Sequence, residues 1–175
     1  AMRIVNVAPD LAKSTIEEIA QDLSKYPILD SSEDNAYLYW QGSKPYNEPW
    51  YDNSLSRDDY GMSNIFVAHL TKMEDPRCAS IMKPAEVDGQ YRGYENGALS
   101  APANLKTISR VGALYRDVAD GFTPFLKSCE NYFILAEAAL RGWNVGISAK
   151  DAYEKAVRLS MDDNKISSEE ADKYL

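Results

Sequence analysis

Histidine is nearly absent, His69 being the one example in 175 residues. A lone imidazole in a segment of helical spacing reads as an ordinary surface or half-buried residue, because acid–base or nucleophilic catalysis needs partners beside it. Cysteine is scarce too: Cys78 and Cys129 lie outside any Cys-x-x-Cys or Cys/His spacing, which removes a zinc site and a disulfide framework. Both are expected to be reduced, mostly buried thiols. Long apolar runs are missing, since nothing approaches the roughly 20 residues of a membrane helix. The opening AMRIVNVAPD lacks the charged and apolar regions of a signal peptide, so the protein is either intracellular or exported with an N-terminus not contained in this sequence. Clustered positive charge is also lacking. With 19 basic against 27 acidic residues and a net charge of −8, no basic run is long enough to neutralise phosphates, which excludes nucleic acid as a partner.

Phenylalanine is rare as well, with 4 residues beside 12 tyrosines and 3 tryptophans. Rings with a polar handle suit half-exposed surfaces that bind sugars or proteins. The hydrophobic content, 45%, is enough for one core in a chain of this length.

Helical periodicity begins at residues 9–25, with Ala12, Ile16, Ile19, Ala20 and Leu23 in register, Pro9 in the first turn and Tyr26-Pro27 as the stop. A second helix is expected over 63–72 with Ile65, Phe66, Leu70 and Met73 on one face. A turn-rich stretch follows, in which Asp88-Gly89 and Asn96-Gly97 mark tight turns. Residues 123–162 read as a helix hairpin opened by Thr123-Pro124 and interrupted by Gly142, with Ser148 and Asp151 capping the second helix. Ala149, Tyr153 and Ala156 follow the small, large, small spacing of the second helix of a tetratricopeptide repeat (TPR), the alanines permitting close approach and the tyrosine filling the groove. Ser167 and Glu170 announce a third helix. The fold class is therefore mainly α, with TPR-like α-α packing and a long aromatic-rich loop insertion at 27–61, read as an ordered loop or a short-stranded segment.

The candidate site is in that insertion. Saccharide recognition without catalysis needs flat aromatic faces against the C–H side of sugar rings and planar polar groups against hydroxyls. Tyr37, Tyr39, Trp40, Tyr46, Trp50 and Tyr51 supply the first, interleaved with Gln41, Asn47, Glu48, Asp52 and Asn53. Tyr39, Trp40, Tyr46, Trp50 and Tyr51 are the candidate glycan-binding residues. The alternation of Tyr37 and Tyr39 also fits a short half-buried strand packing the loop down. Arg77, Arg92 and Arg110 are expected to pin turns, and Trp143 to anchor packing at the hairpin loop. Glu137, among alanines, is expected to bond neighbouring backbone. Asp58, Asp59, Asp162 and Asp163 could offer oxygen ligands to calcium, but no twelve-residue binding loop surrounds them, so no metal is assigned. Nothing in the sequence calls for a cofactor.

The block ENYFILAEAALRGWNVGISAKDAYEKAVRLSMD resembles the SusD/RagB-like proteins, with Leu135-Ala136-Glu137-Ala138, Arg141-Gly142-Trp143 and Ser160-Met161 in the family's order. Asp75-Pro76-Arg77, Tyr91-Arg92-Gly93 and the opening AMRIVNV are similar to upstream segments of that family. The resemblance implies a partial SusD-like domain over 1–175, a middle to C-terminal piece without the lipoprotein signal, earlier repeats and tail. It further implies a lipid-anchored protein on the outer face of a Gram-negative outer membrane, of the Bacteroides group. Such a protein captures oligosaccharides, or peptides in some relatives, for a SusC-like TonB-dependent transporter. In this reading membrane association runs only through an N-terminal lipid anchor absent from the sequence, and the protein is not an enzyme.

Two other readings predict different behaviour. A helical-repeat scaffold would use the Tyr/Trp loop on a protein partner and bind no carbohydrate. A glycoside hydrolase would need a cleft with two carboxyl groups roughly 5 to 9.5 Å apart.

Overall fold

The computed structural model describes residues 1–100 and 104–175. Two compact units emerge, one from residues 1–36, 124–163 and 175, the other from residues 37–123 and 164–174. Helices carry most of the ordered structure in both.

In the first unit, α1 (Pro9–Gln21) starts with proline at its first turn, where the missing N–H costs nothing. It ends four residues before the expected stop. The Asp22 carboxylate accepts from the Ser24 hydroxyl at 2.7 Å and the Lys25 N–H at 3.1 Å, offering the backbone a turn in place of another helical residue.

The hairpin consists of α6 (Ser128–Leu140) and α7 (Ala149–Asp163). Lys127 pairs with Asp163, Tyr132 with Lys155 and Phe133 with Tyr153, so one helix advances as the other retreats, and the two are antiparallel. Alanines 136, 138, 152 and 156 are all buried along these helices, and their size lets helices pack closely. Tyr153 does not fill that groove. It lies one position beyond the buried Ala152, half-exposed, and meets the partly exposed Phe133 of α6 edge-on at 5.8 Å. The hairpin loop opens with Gly142 at φ +76°, where the Gly142 N–H bonds Ala139 and the Trp143 N–H bonds Ala138, a Schellman closure. That closure delivers Trp143 onto the cluster of Ile16, Ala138 and Val145, its anchoring role. Ser148 and Asp151 cap α7 reciprocally.

Thr123-Pro124 does not start α6; these residues lie in the strand β4 (Phe122–Leu126), and the helix begins at Ser128. The cap comes from a distant residue. Asn35 accepts the Ser128 N–H at 2.7 Å and donates to Asp163 at 2.7 Å, tying the start of α6 to the end of α7. The Asp163 side chain is nearly buried and Lys127 lies 3.4 Å from it. Asn35→Ala removes both bonds and is expected to cost about 1–3 kcal/mol, read as a lower urea midpoint at constant slope.

In the second unit, α3 (Asn64–Lys72) buries Val67 and Leu70 against Met82, so of the face predicted from the sequence Leu70 is buried and Phe66 is not. Ile65 and Met73 are exposed. The one-turn helix α4 (Cys78–Ile81) leads into the short strand β2 (Met82–Lys83), which pairs antiparallel with β3 (Arg110–Val111), Met82 opposite Val111 and Lys83 opposite Arg110. Fully buried Ser109 links three segments: its N–H bonds Arg92, its carbonyl takes the Met62 N–H, and its hydroxyl takes the Arg92 N–H. Asp75 receives three bonds from Arg77, one from the backbone and two from the guanidinium, which pins the Asp-Pro-Arg turn. The second-unit helix α8 (Ser168–Tyr174) is capped by Ser167 and Glu170.

The stretch 27–61 is more regular than a loop. It holds a short 3-10 turn, the strand β1 (Ala36–Tyr39), paired with β4, and the helix α2 (Pro49–Ser56). The Glu48 carboxylate caps α2 by accepting the Tyr51 N–H at 2.8 Å, and Pro49 occupies its first turn.

Candidate functional site

The five candidate rings fall into different settings within the second unit. Tyr39 is 69% exposed at the end of β1 and lies 6.1 Å from Tyr37 and 6.3 Å from Phe122, while Tyr37 stacks on Phe122 at 4.6 Å. Trp40 is half-buried and tied into the β1–β4 pair: its backbone N–H bonds Gly121 and its indole N–H bonds the Thr123 hydroxyl, each at 2.9 Å. Tyr46 stands exposed in the turn after β1, where its N–H bonds Ser43 and its carbonyl takes the Gln41 N–H. Tyr51 is half-buried on α2.

Trp50 is the ring that a cleft presents. It is 40% exposed on the first turn of α2 and meets Tyr60, 52% exposed, edge-on at 4.7 Å. With Pro49 and Asn53 these rings line an open cleft of about 480 Å³. Two apolar faces beside one amide group form the kind of surface that receives a sugar ring's C–H side and bonds its hydroxyls. Tyr60 is not among the rings that the sequence singles out. Its signal exists only in conjunction with α2, because the turn that closes the helix is what brings residue 60 back to residue 50.

The polar residues of the stretch are mostly engaged inside the fold. Asn47 is buried and donates to Asp52 at 2.8 Å, and Asn53 donates to Asp59 at 3.0 Å. Glu48 is 1% exposed. Burial pushes its carboxyl up, partly offset by the N–H groups of Tyr51 and Trp50 that it accepts from, with Asp52 adding a push in the same direction as burial. A raised folded-state pKa means that Glu48 contributes stability that is full below the unfolded value and is lost as pH rises through the folded one. Glu48→Gln keeps the shape and removes the titration. The variant is expected to gain stability relative to wild type as pH rises from about 4 to about 7, read from paired urea melts.

Asp58 sits just beyond α2 and receives Arg116 at 2.6 Å and Arg110 at 2.9 Å. Partial burial works against its charge, but the Arg116 hydrogen bond and the two guanidinium charges beside it outweigh that and hold the carboxyl below the usual range. Arg92 pairs with Asp88 and also bonds the Thr107 carbonyl. His69 is exposed on α3. Glu137 is exposed and bonds the Arg141 side chain at 2.6 Å, not backbone. Asp59 pairs with Arg57. Among the described residues, no group of three or more His, Cys, Asp or Glu side chains could hold a metal ion, and no helix is long and apolar enough to cross a membrane.

No curated protein matches this sequence. Solved structures do. A chitin-binding SusD homologue from Flavobacterium johnsoniae is 30% identical with a TM-score of 0.84, covering 99% of this chain and 34% of that one. A SusD homologue from Bacteroides vulgatus is 28% identical with a TM-score of 0.82, again over 99% of this chain and 34% of the other. One from Bacteroides uniformis is 25% identical with a TM-score of 0.81, over 99% and 36%. The chain thus spans about a third of the length of these solved relatives. The SusD-like family model, for starch-binding proteins associating with the outer membrane, matches residues 1–175. With the whole sequence matched and the helix-rich fold shared, the chain belongs to the SusD-like family.

Proposed function

We propose that this chain is part of a non-catalytic glycan-binding subunit that captures oligosaccharide at the outer membrane and presents it to a SusC-like TonB-dependent transporter. The observation that carries the reading is the exposed Trp50–Tyr60 pair over an open cleft with Asn53. Family membership and a chitin-binding relative support it from a second direction. The ligand class is a neutral oligosaccharide, because the cleft is lined by two rings, a proline and an amide. Tyr39 and Tyr46, both exposed, are further ring candidates, while Trp40 and Tyr51 support the fold more than they face solvent.

We read the subunit as non-catalytic. The carboxylates around the cleft are tied to the fold, Asp52 and Asp59 each accepting from a neighbouring asparagine and Glu48 capping α2. We read 1–175 as one partial SusD-like domain whose α6–α7 hairpin is TPR-like, with 27–61 as its inserted aromatic segment. The subunit would sit surface-exposed on the outer membrane, held by a lipid anchor elsewhere in a longer protein.

A protein-interaction role without carbohydrate is the second reading, and exposed Phe133 and Tyr153 on the hairpin favour it. Glycan-array binding by the chain separates the two, with chromatography of the recovered saccharide. The proposal expects a carbohydrate hit released intact. No hit, with a protein partner retained on pull-down, favours the scaffold, and shortened saccharide makes the protein a hydrolase.

A further inference from the structure

The chain reversal that brings Tyr60 to Trp50 is built on an unusual residue. Asp58 has φ +47°, a conformation that glycine adopts freely and an L side chain only at a cost. Its backbone serves the helix end: the N–H groups of Arg57 and Asp58 both bond the Asn53 carbonyl, at 3.1 and 2.8 Å. A residue needed for that alone would be glycine or asparagine.

The side chain does something else. One carboxylate oxygen takes Arg110 from β3 and Arg116 from the short helix α5 (Ala113–Arg116). The Arg110 side chain is 6% exposed and the Arg116 side chain 15%, so the carboxylate is held by two guanidinium groups that themselves have little freedom. Asp58 and the neighbouring Asp59 are equally exposed, 38% each, but the Arg57 that pairs with Asp59 is 79% exposed, and a pair with so free an arginine fixes little.

We propose that Asp58 is a positioning residue: by bridging Arg110 and Arg116 it anchors the turn after α2, sets Tyr60 edge-on to Trp50, and so shapes the saccharide platform without touching saccharide. The inference rests on reading that cleft as the oligosaccharide site, but its structural half can be tested without any sugar.

Asp58→Gly frees the backbone and removes the carboxylate, and Asp58→Asn keeps the shape and removes the charge. Each is followed by NMR for the ring-to-ring NOE between Trp50 and Tyr60, with the Tyr37–Phe122 contact of the same unit as a control for folding. Loss of the first contact with the second retained is expected in both variants. Arg116→Gln, which leaves the Arg110 contact in place, is expected to weaken the Trp50–Tyr60 NOE and decides the matter should an Asp58 variant fail to fold. A Trp50–Tyr60 NOE retained in Asp58→Gly, or unchanged in Arg116→Gln, would show that the residue is only a helix stop and overturns the proposal.

The second arm is calorimetric titration with a chitin hexasaccharide. Tyr60→Ala is expected to lose about ten-fold in affinity, and adding Asp58→Asn to it no more than about two-fold further, because both act through one ring. Independent, multiplying losses would contradict that. Unchanged affinity in Trp50→Ala sinks the saccharide reading instead, and leaves the NOE to judge Asp58.

Discussion

Gly112→Ala is expected to lower stability by about 3 kcal/mol or more, a large share of the roughly 5–15 kcal/mol that holds a domain together. The backbone angles of Gly112, φ −65° and ψ 156°, suit any residue, so conformational freedom is not the issue. Space is. A Cβ there would lie 1.8 Å from the Ser80 carbonyl oxygen and 2.7 Å from its carbon. Backbone cannot yield cheaply at this point, because the Gly112 N–H bonds Ile81 at 2.7 Å beside the β2–β3 pair. Gly89 makes the control. It has φ +73° and nothing within 4 Å of where an alanine methyl would stand, so Gly89→Ala costs only the left-handed backbone penalty, about 1–2 kcal/mol. Urea midpoints that put the two variants level would contradict the close-approach account.

Trp50→Ala is expected to weaken oligosaccharide binding by about thirty-fold, near 2 kcal/mol, the size of an aromatic hot spot. Trp50 is the larger of the two cleft rings, it is anchored on the first turn of a capped helix, and its exposed face needs no rearrangement to receive a ligand. Trp40→Ala should act differently. Its indole N–H is already bonded to Thr123, so removing it leaves that hydroxyl without its donor and lowers stability, with a smaller change in affinity. Calorimetry and a thermal melt on both variants separate the two tryptophans. Equal affinity losses would return Trp40 to the ligand surface.

Much of the helical architecture is legible in the sequence because it rests on local rules. The capping pairs Ser148/Asp151 and Ser167/Glu170 and the Gly142 closure are fixed by residues three to five apart, and the structure has them where spacing puts them. The start of α6 is not legible, because its cap, Asn35, is 93 residues away from Ser128 in sequence. Thr123-Pro124 has the look of a local start, but pairing with β1 takes that segment into a strand. The buried face of α3 is legible only in part for a related reason: Leu70 is among the predicted positions, but Val67 joins it in place of Ile65, Phe66 and Met73 because Met82, a tertiary neighbour, packs there.

The proposed site is legible in part. Density of Tyr and Trp marks the stretch that contributes Trp50 to the proposed cleft, yet hides α2, since Pro49 has the look of punctuation and is instead the first residue of a helix capped by Glu48. Without that helix, Tyr60 has no reason to meet Trp50. The close approaches of Gly93 to Asn64 and of Gly112 to Ser80 also lie beyond sequence spacing, since each pairs a glycine with backbone from a segment about thirty residues away.

The most direct measurement follows the indole N–H signals of Trp40, Trp50 and Trp143 by NMR while a chitin or starch oligosaccharide is titrated into the protein. The account predicts that the Trp50 signal moves with the ring signals of Tyr60 while Trp143, packed on Ile16 and Val145, stays still. Saturable binding that leaves Trp50 unmoved, or no binding of either saccharide, would contradict it.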